Sequence, residues 1–289
     1  MISSLQSMNT AMRPNFLLLK EICATVLSLD TYIDTKIQLH YDADCILRAT
    51  QHYQSGRMTS ALTYRSNTLD PRDMIVYGAD GQVVENHTYS YDEDGRLITI
   101  TGADAAGTVV FSKNHCYDRN GILDYFEVHR NGKLHYWESY RNDQFGLRDS
   151  FVSGDGAGNL LRVIQYQNIM ENGKLAKIIT LRNGEICRTV SYGENGKPLL
   201  ESHAHCGEEV YRVEYRYDEA GMLVEIRRFR YGQLEQNTKY IYLNGCLQGY
   251  ESYLCGQLDA QYSYIYEPVR ISDAQASVLS GLYAKLVLT

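Results

Sequence analysis

What this chain lacks narrows its function before any motif is read. No Cys-x-x-Cys pair occurs, and the seven cysteines are odd in number and scattered from Cys23 to Cys255. That is the usage of a reduced chain, not of a disulfide scaffold. A basic excess is also missing: the net charge is -7. Nucleic acid and anionic membrane surfaces both call for a basic footprint, so neither is expected as a partner. The most apolar early run, Phe16 to Leu29, is interrupted by Lys20 and Glu21. A signal-peptide core or a spanning helix would not carry charges there, so cytoplasmic residence and no membrane partner are the expectations. Proline is scarce at 4, and Phe and Trp number 6 and 1.

Catalytic signatures are missing as well. There is no Gly-x-Ser-x-Gly, no phosphate-cradling glycine loop and no His-Glu-x-x-His. His115 and Cys116 are adjacent, but neighbours on a strand point to opposite faces and cannot form a dyad. His203 and His205 share a strand face and could share a metal, yet no second ligand pair lies near in sequence. The expectation is a non-enzyme without metal or cofactor.

What is abundant is glycine at turns and tyrosine. Gly56, Gly81, Gly107, Gly132, Gly158, Gly184, Gly207, Gly232 and Gly256 recur at steps of 23 to 26 residues. Gly95, Gly121, Gly146, Gly173, Gly196, Gly221 and Gly245 form a second series between them. Extended backwards, that series places a turn near Asp70-Pro71 and another at Cys45, which stands in a glycine slot. A fixed period of this size marks a repeat architecture. Asp92-Glu93-Asp94-Gly95, Asp118-Arg119-Asn120-Gly121 and Asp218-Glu219-Ala220-Gly221 suit a type I turn closed by a left-handed residue. The Asp carboxylate can accept main-chain N–H groups further along the turn. Asn131-Gly132, Asn172-Gly173, Asn183-Gly184 and Asn244-Gly245 are two-residue hairpin signals.

The resulting fold class is all-β: an antiparallel hairpin-repeat meander with a two-strand repeat of about 25 residues. Eighteen turns give about 19 strands. So wide a sheet curls, because neighbouring strands twist by about 20–25°. Three segments are expected. Residues 1–35 form an N-terminal helical cap, with a helix over about 14–30 after a disordered first dozen residues. Residues 36–268 are the β-repeat, and 269–289 a C-terminal helical cap starting at Ser272.

The 25 tyrosines are the candidate site. Alternation puts Tyr211, Tyr215 and Tyr217 on one face with Val213, and Arg212, Glu214 and Arg216 on the other. Tyr89, Tyr91, Tyr240, Tyr242, Tyr262 and Tyr264 repeat the pattern. Side by side they make an aromatic ladder that stabilises a thin sheet and, on an open face, binds a partner.

Tyr-x-Tyr-Asp at 89–92 and 215–218, in the longer pattern Tyr-Asp-x-x-Gly-x-Leu, resembles the YD repeat of the Rhs family of bacterial shell-forming toxin-delivery proteins. Asn-Gly-Lys-Leu at 131–134 and 172–175 resembles the related MORN-like repeats of some bacterial antitoxins. Full Rhs proteins are far longer and end in a toxin tip. Only about 20 residues follow the repeat here. The resemblance implies a stand-alone bacterial protein that binds a toxin or a secretion component, in an immunity or antitoxin role. A shell or adaptor piece and a glycan-binding module are the alternatives.

Overall fold

In the computed structural model, residues 13–28, 31–65, 68–243 and 245–271 are described. They form twenty strands. These are β1 (Arg13–Ser28), β2 (Thr31–Tyr41), β3 (Leu47–Gln54), β4 (Arg57–Tyr64), β5 (Pro71–Tyr77), β6 (Val83–Tyr91) and β7 (Leu97–Asp104). Next come β8 (Val109–Tyr117), β9 (Leu123–Arg130), β10 (Lys133–Asn142), β11 (Arg148–Asp155), β12 (Leu160–Glu171), β13 (Lys174–Arg182) and β14 (Glu185–Tyr192). The last are β15 (Pro198–His205), β16 (Glu208–Tyr217), β17 (Leu223–Arg230), β18 (Gln233–Leu243), β19 (Cys246–Leu254) and β20 (Gln257–Ile271). Each pairs antiparallel with the next. β1 also pairs antiparallel with β20, from Arg13 opposite Ile271 to Val26 opposite Ala260. The meander therefore closes into a barrel.

Closure corrects the expectation of a curled or elongated sheet with a helix at each end. No helix occurs among the described residues. The segment expected to be helical over about 14–30 is strand β1, and residues 269–271 continue β20. The expected start of the C-terminal helix at Ser272, and the expected disorder of the first dozen residues, lie outside the described residues. The physical reason is edge chemistry. A 19-strand sheet ends in two rows of unpaired N–H and C=O groups. One further strand satisfies both rows, and that gain exceeds the weak helical preference of the apolar stripe.

The turns set the strand lengths. At Asn131-Gly132 both residues are left-handed, with φ of 48° and 73°, as a type I′ turn requires. The longer turns end on a left-handed residue too: Gly95 at φ 80° and Cys45 at φ 61°. Gly81, Gly107, Gly121, Gly158, Gly173, Gly184, Gly196, Gly221, Gly232, Gly245 and Gly256 all sit at φ between 74° and 88°. The aspartates cap their turns as well. Asp92 Oδ1 accepts the main-chain N–H of Asp94 and of Arg96, at 3.0 and 2.8 Å. Asp118 does the same for Asn120 and Ile122. Bulges recur beside these turns, at Ser90/Tyr91 and Arg216/Tyr217, and bend the sheet toward closure.

The interior is an open lumen. Ten hydrophobic side chains are buried among the described residues, far fewer than two packed walls would bury. Most described side chains on both faces of the wall are half-buried or exposed.

Candidate functional site: the tyrosine-lined lumen

Alternation sorts every strand into two faces, and burial identifies the concave one. Along β6, Val83, Glu85, His87, Tyr89 and Tyr91 are half-buried, while Val84, Asn86, Thr88 and Ser90 are exposed. Following the register around the ring, the first face continues through Phe126, Ser153, Ile164, Thr180, Val190, Val213, Ile226, Thr238, Ser252, Ala260 and Ala24, all buried. Side chains converge on a concave face. Tyr250 and Tyr262 stack with centroids 4.1 Å apart, closer than the ~4.8 Å between strands. Elsewhere on this face Phe126 and Tyr136, and Tyr140 and Phe151, stand 6.1 Å apart, and on the opposite face Tyr125 and Trp137 stand 6.4 Å apart.

The nine tyrosines singled out in the sequence all face this lumen, but in two settings. Tyr89, Tyr211, Tyr215, Tyr240, Tyr262 and Tyr264 stand within the strands. Tyr240, Tyr250 and Tyr262 form a continuous stack across β18, β19 and β20, with centroids 5.4 and 4.1 Å apart. Burial raises the hydroxyl pKa of Tyr240, Tyr250 and Tyr264, so they remain neutral donors. Tyr91, Tyr217 and Tyr242 instead lie at strand ends, on the rim that holds the Asp118–Ile122 turn (here the lower rim). Their hydroxyls donate to the carbonyls of Pro71, Pro198 and Leu223, at 2.6, 3.0 and 3.0 Å. Tyr41, Tyr117 and Tyr266 do the same to Leu19, Leu97 and Leu247. Each clamp spans one hairpin, so these tyrosines hold the wall and are not free to meet a partner.

Sequence reasoning missed the charged part of the lumen. Glu201 on β15 accepts from Arg188 Nε at 2.7 Å and lies 2.6 Å from His203 Nε2. The Arg188 hydrogen bond, with help from His203, holds the Glu201 carboxyl below its usual range against burial. The opposite pairing rule, Arg188 beside His203 across the ladder, depends on register and leaves no local sequence signal. Tyr250 was also missed, although its alternation with Ser252 and Gln248 could have shown it. His203 is thus committed to Glu201, and His205 is exposed at the turn. Among the described residues no group of three His, Cys, Asp or Glu side chains is placed to hold a metal. His115 faces the lumen, half-buried, while Cys116 is exposed on the outer face.

The outer face is salt-bridged at β16 and β17 and carries exposed apolar side chains elsewhere, among them Val84, Val163, Ile241 and Ile265. Glu225 Oε2 meets Arg216 Nη1 and Arg227 Nε, each at 3.0 Å, and Arg212 meets Glu214 at 3.4 Å.

No protein-family model matches the chain, and no curated protein matches it. Among solved structures, a porin-like protein from Bacteroides uniformis is similar at TM-score 0.40 and 12% identity, covering 86% of this chain and 96% of that one. The Tc holotoxin pore of Photorhabdus luminescens is similar at TM-score 0.34 and 12% identity, covering 83% of this chain and 15% of that one.

Proposed function

We propose that this chain is a non-catalytic binding barrel whose lumen receives a protein partner. The observation that supports this is the concentration of aromatic surface on the concave face, in a lumen with few buried apolar side chains. Tyrosine packs its ring, keeps its hydroxyl wet and loses little entropy on ordering, which suits a protein interface. Twenty strands at ~4.8 Å spacing make a ring about 30 Å across, enough for an extended segment or a helix of ~10 Å diameter.

The finer reading is an immunity or antitoxin role, the partner being a toxin or a secretion component of a bacterial competition system. It rests on the YD and MORN-like resemblance. The closed ladder weighs against a shell piece that grows through free edges, because pairing β1 with β20 leaves no edge. Around β16 and β17 the outward ion pairs of Arg216, Glu225 and Arg227 favour water over lipid, since a lipid-spanning barrel turns an apolar band outward. Cytoplasmic residence belongs to the same proposal.

The test is site-specific photo-crosslinking in the native host. A photoreactive phenylalanine analogue replaces Tyr240 in the lumen or, as control, Lys239 on the outer face. A protein adduct from position 240 and none from 239 is the expected result. Adducts from 239 alone move the interface outside and overturn the lumen reading.

A further inference from the structure

The tyrosines do not exhaust the lumen. Between β11 and β15 its wall holds a groove of about 320 Å³, lined by Arg162, Arg182, Arg188, His203, Tyr166 and Thr180 among others. We propose that this groove binds the carboxylates of an acidic polypeptide segment. The proposal rests on the lumen-binding reading and names the chemistry of what enters.

Register brings these residues together. Arg182 pairs with Ile164, two residues from Arg162 on the same face of β12. Arg188 pairs with Thr180 on one side and with His203 on the other. Three guanidinium groups and an imidazole therefore share one patch with the carboxylate of Glu201, while Glu185 is the ladder partner of Arg182 and Glu138 shares the face of Arg162. Two of these carboxylates are taken: Arg188 and His203 bind Glu201, at 2.7 and 2.6 Å, and the Tyr136 and Tyr140 hydroxyls donate to Glu138. Arg162 and Arg182 form no ion pair and no side-chain hydrogen bond among the described residues.

A second observation comes from the groove floor. Thr180 is 7% exposed, and its Oγ1 is buried without a hydrogen-bond partner. An orphaned buried hydroxyl costs free energy unless something bonds to it. A carboxylate held by the arginines above would accept that proton. Guanidinium forks fit carboxylates bidentately, which Lys does not. The groove is local: the chain as a whole is acidic at net charge -7, so it repels long polyanions and admits a segment whose charge is focused here. Tyr166 and Ile164 offer apolar contact to the aliphatic parts of such a segment, which a bare inorganic anion lacks.

The probe is fluorescein-labelled oligo-glutamate, with oligo-glutamine as the neutral control, followed by anisotropy at low and at physiological salt. The full chain is compared with the double variant Arg162→Gln/Arg182→Gln and with Arg212→Gln on the outer face, all checked for an unchanged thermal transition. Saturable, salt-weakened binding of oligo-glutamate alone is expected. The double variant should weaken it about tenfold or more, since two charge-assisted contacts are lost, and Arg212→Gln should leave it unchanged. No binding at low salt, or equal loss in Arg212→Gln, overturns the groove. Displacement by pyrophosphate at lower concentration than by unlabelled oligo-glutamate would make phosphate the ligand and overturn the peptide assignment. Crosslinking from position 240 does not pass through these arginines, so loss of oligo-glutamate binding with the 240 adduct intact is failure of the groove alone, and loss of the 240 adduct is failure of the lumen reading.

Discussion

The Tyr91 hydroxyl donates to the carbonyl oxygen of Pro71 at 2.6 Å, reaching one hairpin back from the end of β6 to the start of β5. Burial, with the Asp70 charge nearby, pushes the Tyr91 phenol up to about 12, so the hydroxyl stays a donor through the physiological range. The same clamp at Tyr117, Tyr217, Tyr242 and Tyr266 explains why tyrosine and not phenylalanine closes these strands. Tyr91→Phe keeps the ring and deletes the clamp. It should cost about 1 kcal/mol, the net worth of one such hydrogen bond. Tyr240→Phe, which removes a hydroxyl from the lumen stack and no clamp, should cost less. Urea unfolding of both variants makes the comparison.

Gly95→Val and Gly121→Val test the turns. Both glycines are left-handed, at φ 80° and 77°, where a β-branched residue is strained by about 1–2 kcal/mol. The two should differ in a second way. A Cβ at Gly95 meets nothing within 4 Å, while one at Gly121 comes 2.9 Å from Arg96 Nη1. Arg96 binds Asp92 at 2.7 Å and Asp94 at 2.8 Å. Gly121→Val should therefore disturb a neighbouring turn as well and lower the melting temperature further. Unchanged melts for both would remove the turn assignment.

These turns are the part of the fold that was legible in the sequence. Asp at the first position and Gly at the fourth specify a turn through local chemistry, and the spacing between turns counts the strands. Closure was not legible. The run from Phe16 to Leu29 is apolar enough for one face of a helix or for a strand, and its fate depends on edges more than 200 residues apart. The tyrosine alternation was visible, but the split between clamping Tyr91 and lumen-lining Tyr89 was not, because it turns on a carbonyl twenty residues away. Arg188, Glu201 and His203 are ordinary polar residues until register places them together.

Stability should fall with acid in two stages. Burial holds His52 and His115 below the usual imidazole value of about 6.5, with Lys113 adding to the effect on His115. Below about 6.5 the unfolded chain takes up protons that these folded imidazoles refuse, so stability declines as pH drops. The second stage belongs to carboxylates. Asp92 is held low by the Arg96 main-chain hydrogen bond, and Glu201 by Arg188. Their contribution is complete above the unfolded carboxylate values of about 4 and is lost as pH falls through the lower folded ones. Melting temperature against pH should be flat from about 7 to about 9, slope down through 6, and steepen below 4. His115→Asn should make the upper stage shallower, with His52 still titrating there, and leave the lower stage unchanged.

Trp137 reports on the outer face. It is the only tryptophan, and it pairs across the ladder with Gly154. A Cβ added at Gly154 would sit 2.6 Å from the indole Cε2, Cζ2 and Nε1 atoms. Gly154→Ala must push the ring off the sheet toward water, so emission should shift to longer wavelength. The overlap should cost about 1–3 kcal/mol. An unshifted spectrum would mean that the indole does not lie over Gly154.

The seam makes the last prediction. Ala24 is 4% exposed and sits between Thr35 of β2 and Tyr262 of β20, with ladder neighbours on both sides. Proline cannot donate to a ladder, and a strand paired on both sides has no wet side to hide that loss. Ala24→Pro should open the barrel between β1 and its neighbours. The opened wall presents unpaired edges, which pair with other copies. Light scattering across a concentration series should then show association that the parent chain lacks, and Gly95→Val, strained in a turn and closed at the seam, should behave like the parent. If Ala24→Pro scatters as the parent does at every concentration, the β1–β20 pairing is not what keeps the wall shut.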